Sequence, residues 1–126
     1  MVIAACAYFL ANNRETGLED VKKSVLDYAG QFYDMGFEHH NLKSIYCHHA
    51  VPFAIQAFTR TDSYDSCMKY VLCQLPCDAD TVCAIAGTLA GAYYGITDKQ
   101  KQYILSKFQD PEVVELKTLV ESLCEQ

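Results

Sequence analysis

The chain has 126 residues, 51% of them apolar, and a formal net charge of −6. That length suits one domain with a single core of helices. The acidic balance, with no run of Lys or Arg, excludes a direct nucleic-acid binder, although helix N-termini and a metal still admit a pyrophosphate.

Residues 1–11 are apolar but short of the ~20 that cross a bilayer, and no basic residue precedes them. They predict a buried helix rather than an anchor or a signal peptide, so no membrane partner is expected. A helix starting at residue 1 with no capping side chain reads as one entered midway, which predicts a partial chain. Next, Leu18, Val21, Val25, Leu26, Ala29, Phe32 and Tyr33 recur at three- and four-residue intervals. They mark an amphipathic helix over residues 18–34, set between Gly17 and Gly36.

Residues 36–47 show no period, and loops of that length often carry function. His39-His40 and Cys47-His48-His49 lie in and just after this stretch. Their spacing departs from the C-x₂₋₄-C and H-x₃₋₅-H patterns of zinc sites. They read instead as a polar connection (His39, His40) followed by a helix opened by His48 or His49. Residues 51–59 predict that helix, with Pro52 tolerated in its first turn. Asp62 is a good N-cap for a helix over residues 62–74 with Tyr64, Cys67, Met68, Val71 and Leu72 on its inner side, and Pro76 ends it.

The stretch 76–95 carries the chemistry. Asp78, Asp80 and Thr81 offer two carboxylates and a hydroxyl within four residues, the oxygen donors that a hard cation such as Mg²⁺ or Ca²⁺ takes. The same residues also suit a helix head, with Asp78 as N-cap and Asp80 in the first turn. On spacing alone, capping is the commoner explanation. Downstream, Ala84, Ala86, Gly87, Ala90, Gly91 and Ala92 leave a helix with little side-chain volume, which predicts burial. Gly87 and Gly91, four apart, predict the close approach of another backbone. Two acids at the head of a buried helix then require a cation or donors.

Gly95 is a natural stop, and Thr97 or Asp98 caps a short helix over residues 99–108. Asp110-Pro111 opens a last helix to residue 124, with Val113, Leu116, Val120 and Leu123 in one stripe. Nothing alternates with period two. The fold class is therefore all-α, an orthogonal bundle of six or seven helices. Seven cysteines, an odd number with no C-x-x-C pair, suggest neither a disulfide framework nor zinc and fit a reducing intracellular compartment, whether cytoplasm, nucleus or mitochondrion.

Two of these segments resemble a known family. The run Asp78-Ala79-Asp80-Thr81-Val82-Cys83-Ala84-Ile85-Ala86-Gly87-Thr88-Leu89-Ala90-Gly91-Ala92-Tyr93-Tyr94-Gly95 is similar to the C-terminal signature of the ADP-ribosylglycohydrolases, G-G-D-T-D-T followed by an A-x-A-G-A-x-A-G-A-x-x-G helix. Upstream, Val51-Pro52-Phe53-Ala54-Ile55-Gln56-Ala57-Phe58 resembles the V-P-x-A-x-x-x-F helix that precedes it. The resemblance implies an all-α hydrolase that cleaves the glycosidic bond of ADP-ribose with two Mg²⁺ ions. It makes Asp78, Asp80 and Thr81 metal ligands, and it makes the partners ADP-ribosylated protein, poly-ADP-ribose or an ADP-ribose metabolite. Residues 51–60 are most similar to the eukaryotic branch acting on serine-linked and poly-ADP-ribose.

The chain departs from the pattern at Pro76 and Cys77, where the family has glycines, and at Ala79, where it has Thr. No Asp-Asp pair occurs anywhere in the chain, whereas the family carries an N-terminal D-D-T cluster that completes the metal shell. The chain thus reads as a single domain, 1–126, lacking the N-terminal half that would also supply the acid or base. On that reading Phe53, Ile55, Phe58 and the first helix are expected to face the absent part. The alternative readings are an inactive ADP-ribose-binding module and a structural helical module in which the two acids are caps.

Overall fold

The computed structural model describes residues 1–36, 46–74, 76–107 and 111–124, and every regular element among them is a helix. These are α1 (Val2–Asn12), α2 (Leu18–Ala29), α3 (Cys47–Thr59), α4 (Tyr64–Leu72), α5 (Ala79–Tyr94), α6 (Asp98–Lys107) and α7 (Pro111–Cys124). The chain divides into two compact units, Met1–Gly95 and Ile96–Gln126. His39 and His40 lie outside the described residues.

In the first unit α5 packs against α1, α3 and α4, and α3 packs in turn against α2 and α4. The position of α3 follows from its composition. Residues 50–58 are all buried, as expected for a helix that is apolar on every side. Its one buried amide, Gln56, donates from Nε2 to the Met35 carbonyl at 3.3 Å, which meets the demand that a buried polar group be bonded. Phe53, Ile55 and Phe58, expected to face an absent partner, are core residues of this chain. The helix starts at Cys47, next to the His48 or His49 expected to open it, but Pro52 lies beyond its first turn. His48 and His49 lie in its first turn, so Pro52 is its sixth residue and leaves the His48 carbonyl without the usual i−4 donor.

Aromatic packing joins α3 to the last turn of α5. The Phe58 ring lies 6.4 Å from that of Tyr93 and 6.1 Å from that of Tyr94, and the two tyrosines meet edge to face at 5.1 Å. Such pairs contribute about 0.5–1.5 kcal/mol each beyond area burial. Two bonds tie the same turn to the α1–α2 connection: Arg14 Nε donates to the Ala92 carbonyl at 2.7 Å, and Tyr93 Oη to the Thr16 carbonyl at 2.8 Å.

The outer helices are less buried than their composition suggested. In α1 Val2, Cys6 and Leu10, four apart, are buried, and Ile3 and Phe9 pack half-buried against the core, while Tyr8 is exposed. The helix packs against α5 and α2. The amphipathic helix α2 stops at Ala29 rather than reaching 34. Gly30, costly inside a helix by about 1 kcal/mol, stands at its C-cap. Asp34 then accepts the Gly36 N–H at 3.0 Å, a side-chain turn that competes with helix.

Helix α4 starts from Ser63 rather than from Asp62. Ser66 N–H donates to Ser63 Oγ at 3.1 Å, and Ser63 N–H donates to Ser66 Oγ at 3.0 Å, a reciprocal capping box. Asp62 accepts instead from Ser66 Oγ at 3.2 Å. Cys67 and Val71 are buried and Tyr64 and Met68 half-buried, whereas Leu72, expected inside, is exposed.

In the second unit Thr97, one of the two expected caps, accepts the Gln100 N–H on Oγ1 at 3.2 Å, and its own N–H donates to Gln100 Oε1 at 2.9 Å. Of the stripe expected on α7, Leu116 is exposed. The side chains of Val113, Val120 and Leu123 lie outside the described residues.

Candidate functional site

The structure brings Asp78, Asp80 and Thr81 together in the opening turn of α5. Asp78 holds the N-cap position, yet its side chain caps nothing. The main chain secures the start of the helix, with Val82 N–H on the Asp78 carbonyl at 3.0 Å. The carboxyl oxygen Oδ2 of Asp78 is buried and meets no hydrogen-bond partner among the described residues. An acceptor left in that state costs about 1–3 kcal/mol, so the position calls for a cation or a donor.

Asp80 is exposed. Its contact with the Asp78 side chain, together with the backbone N–H groups of Thr81 and of Asp80 itself, holds its carboxyl below the usual range. An N–H that bonds the charged form favours ionisation, and these amides are among those a helix start leaves free. The Thr81 side chain is half-buried beside them. The set therefore combines an ionised carboxylate, a carboxyl oxygen with no partner and a hydroxyl. These are hard oxygen donors, and they fit a cation of the Mg²⁺ or Ca²⁺ type.

Two thiols adjoin the acids, Cys77 directly before Asp78 and Cys83 about one helical turn after Asp80. Cys77 Sγ donates to the Val71 carbonyl at 3.7 Å. Burial pushes its thiol up, as does the charge of Asp78. Cys83 is raised by burial, then by Cys77 and Asp80.

The remainder of α5 is less enclosed than its small residues implied. Ala84 and Thr88, on the same face as Asp80, are exposed. A Cβ on Gly87 would meet side chains of α4, Tyr64 Oη at 3.5 Å and Met68 Cε at 3.7 Å, and one on Gly91 would meet nothing within 4 Å. Among the described residues, no backbone closes on either glycine. Only Val82, Ala86, Leu89 and Ala90 are fully buried.

At the head of α3, Tyr46 and His48 stack at 5.5 Å, and the His48 and His49 rings lie 4.1 Å apart. Among the described residues, no three His, Cys, Asp or Glu side chains converge as a metal-binding group. Asp78 and Asp80 are two carboxyls, one short of such a group.

A sequence model described as ADP-ribosylglycohydrolase matches residues 2–126. The chain belongs to the ADP-ribosylglycohydrolase family. The matched span includes all seven helices, the Asp78-Asp80-Thr81 turn among them. No match is found among curated proteins or among solved structures. No helix of the described residues is long and apolar enough to cross a membrane.

Proposed function

We propose that this chain supplies the Asp78, Asp80 and Thr81 part of a Mg²⁺ site in an ADP-ribosylglycohydrolase domain that hydrolyses the glycosidic bond of ADP-ribose. The observation that carries the reading is the Asp78 Oδ2 atom, buried and unbonded at an N-cap where a carboxylate ordinarily caps. Family membership supports the substrate class.

Asp78, Asp80 and Thr81 would hold a divalent cation, which would supply polarisation of the ribose hydroxyls and of a water. The chain's own residues do the holding: Asp80, kept ionised by its neighbours, and Asp78 present oxygen toward the cation, and Thr81 adds a hydroxyl. Glycoside hydrolysis also needs an acid or base carboxylate. An ionised, metal-facing Asp80 is unsuited to that role. No two Asp residues are adjacent in the chain, so on this reading further polypeptide supplies the acid or base and the other metal-binding acids. The substrates are ADP-ribosylated protein, poly-ADP-ribose or an ADP-ribose metabolite, with the likeness of residues 51–60 favouring serine-linked and polymeric ADP-ribose. The free thiols Cys6, Cys47, Cys67, Cys73, Cys77 and Cys83 support a reducing intracellular setting.

Calorimetric titration with Mg²⁺ tests the reading on the parent, Asp78→Asn and Asp80→Asn. Saturable binding is expected in the parent and is expected to be lost in both variants, with turnover of ADP-ribosylated protein far below that of a full-length family member. Equal Mg²⁺ binding by all three proteins would reduce the motif to a helix head. Turnover matching the full-length enzyme would overturn the need for further polypeptide.

A further inference from the structure

We draw no further inference here: the strongest candidate, the half-open apolar groove of about 290 Å³ between α1 and α2 lined by Cys6, Phe9, Ser24 and Tyr28, carries nothing because no observation in the structure shows what covers it.

Discussion

Ser63 and Asp78 stand at the same position, the N-cap, of two helices packed against each other, and only Ser63 acts as a cap. Ser63 Oγ accepts the Ser66 N–H at 3.1 Å, whereas the carboxyl of Asp78 takes no hydrogen bond from its helix. The two residues therefore respond differently to the same truncation. Ser63→Ala is expected to lower unfolding free energy by about 1 kcal/mol. Asp78→Ala, which removes an unpaired buried acceptor, is expected to leave stability unchanged or to raise it. Urea unfolding of both variants without divalent cations makes the comparison. A loss at Asp78 as large as that at Ser63 would mean that the carboxyl caps after all.

The same variant has a second readout when Mg²⁺ is present. A cation that binds only the native state stabilises by mass action, by about 2.7 kcal/mol at a hundredfold excess over Kd. Melting curves over a Mg²⁺ titration are expected to rise for the parent and to stay flat for Asp78→Ala. Parallel curves for the two proteins would count against a ligand role.

Gly91 and Gly95, one turn apart at the end of α5, are predicted to respond in opposite directions to alanine. Gly91 is helical with open space where a Cβ would stand, so Gly91→Ala gains helix propensity of about 1 kcal/mol. Gly95 has φ +73°, a left-handed conformation in which a side chain is strained by about 1–3 kcal/mol. Differential scanning calorimetry is expected to show a higher Tm for Gly91→Ala and a lower one for Gly95→Ala. A fall in Tm for Gly91→Ala would reveal a neighbour packed on that face.

Alkaline pH should destabilise the fold through groups that are buried in their neutral form. Burial is the main cause that pushes Tyr94 up to about 12 from its ordinary 10.0, and it raises the thiols of Cys6 and Cys67 above 9.0. Because the unfolded chain releases these protons at lower pH than the folded one, the stability they contribute is complete below pH 9 and is lost as pH rises toward about 12. Tyr94→Phe cannot ionise at that site, so its stability should fall less steeply between pH 10 and 12. Superimposable pH profiles for parent and variant would contradict the assignment.

Alkylation should sort the cysteines by the same burial. Cys47 and Cys73 are exposed and Cys6 and Cys67 buried, and the reactive form is the thiolate. Peptide mass spectrometry after timed alkylation at neutral pH is expected to find Cys47 and Cys73 modified first. Cys6 and Cys67 should react only at the rate of unfolding. Modification of Cys67 as fast as that of Cys73 would mean that α4 does not pack on α5 as described.

Sequence alone determined the helical class, because apolar positions recur at three- and four-residue intervals and nothing alternates with period two. It also placed the stop at Gly95 and narrowed the next cap to Thr97 or Asp98, where the backbone requirement is local. Residue type and spacing singled out Asp78, Asp80 and Thr81 but left helix capping and metal binding both open. Tertiary structure decided the rest. Whether Asp62 or Ser63 caps α4, and whether α2 ends at residue 29 or 34, are contests between local alternatives that differ by about 1 kcal/mol. Periodicity reports that a face is apolar but not what covers it, so it could not tell that Phe53, Ile55 and Phe58 are enclosed within this chain while Gly91 stands open. Nor could spacing separate the two acids at the head of α5. Their difference arises from desolvation, which the packing around the helix start imposes on one carboxyl oxygen of Asp78 and not on the exposed side chain of Asp80.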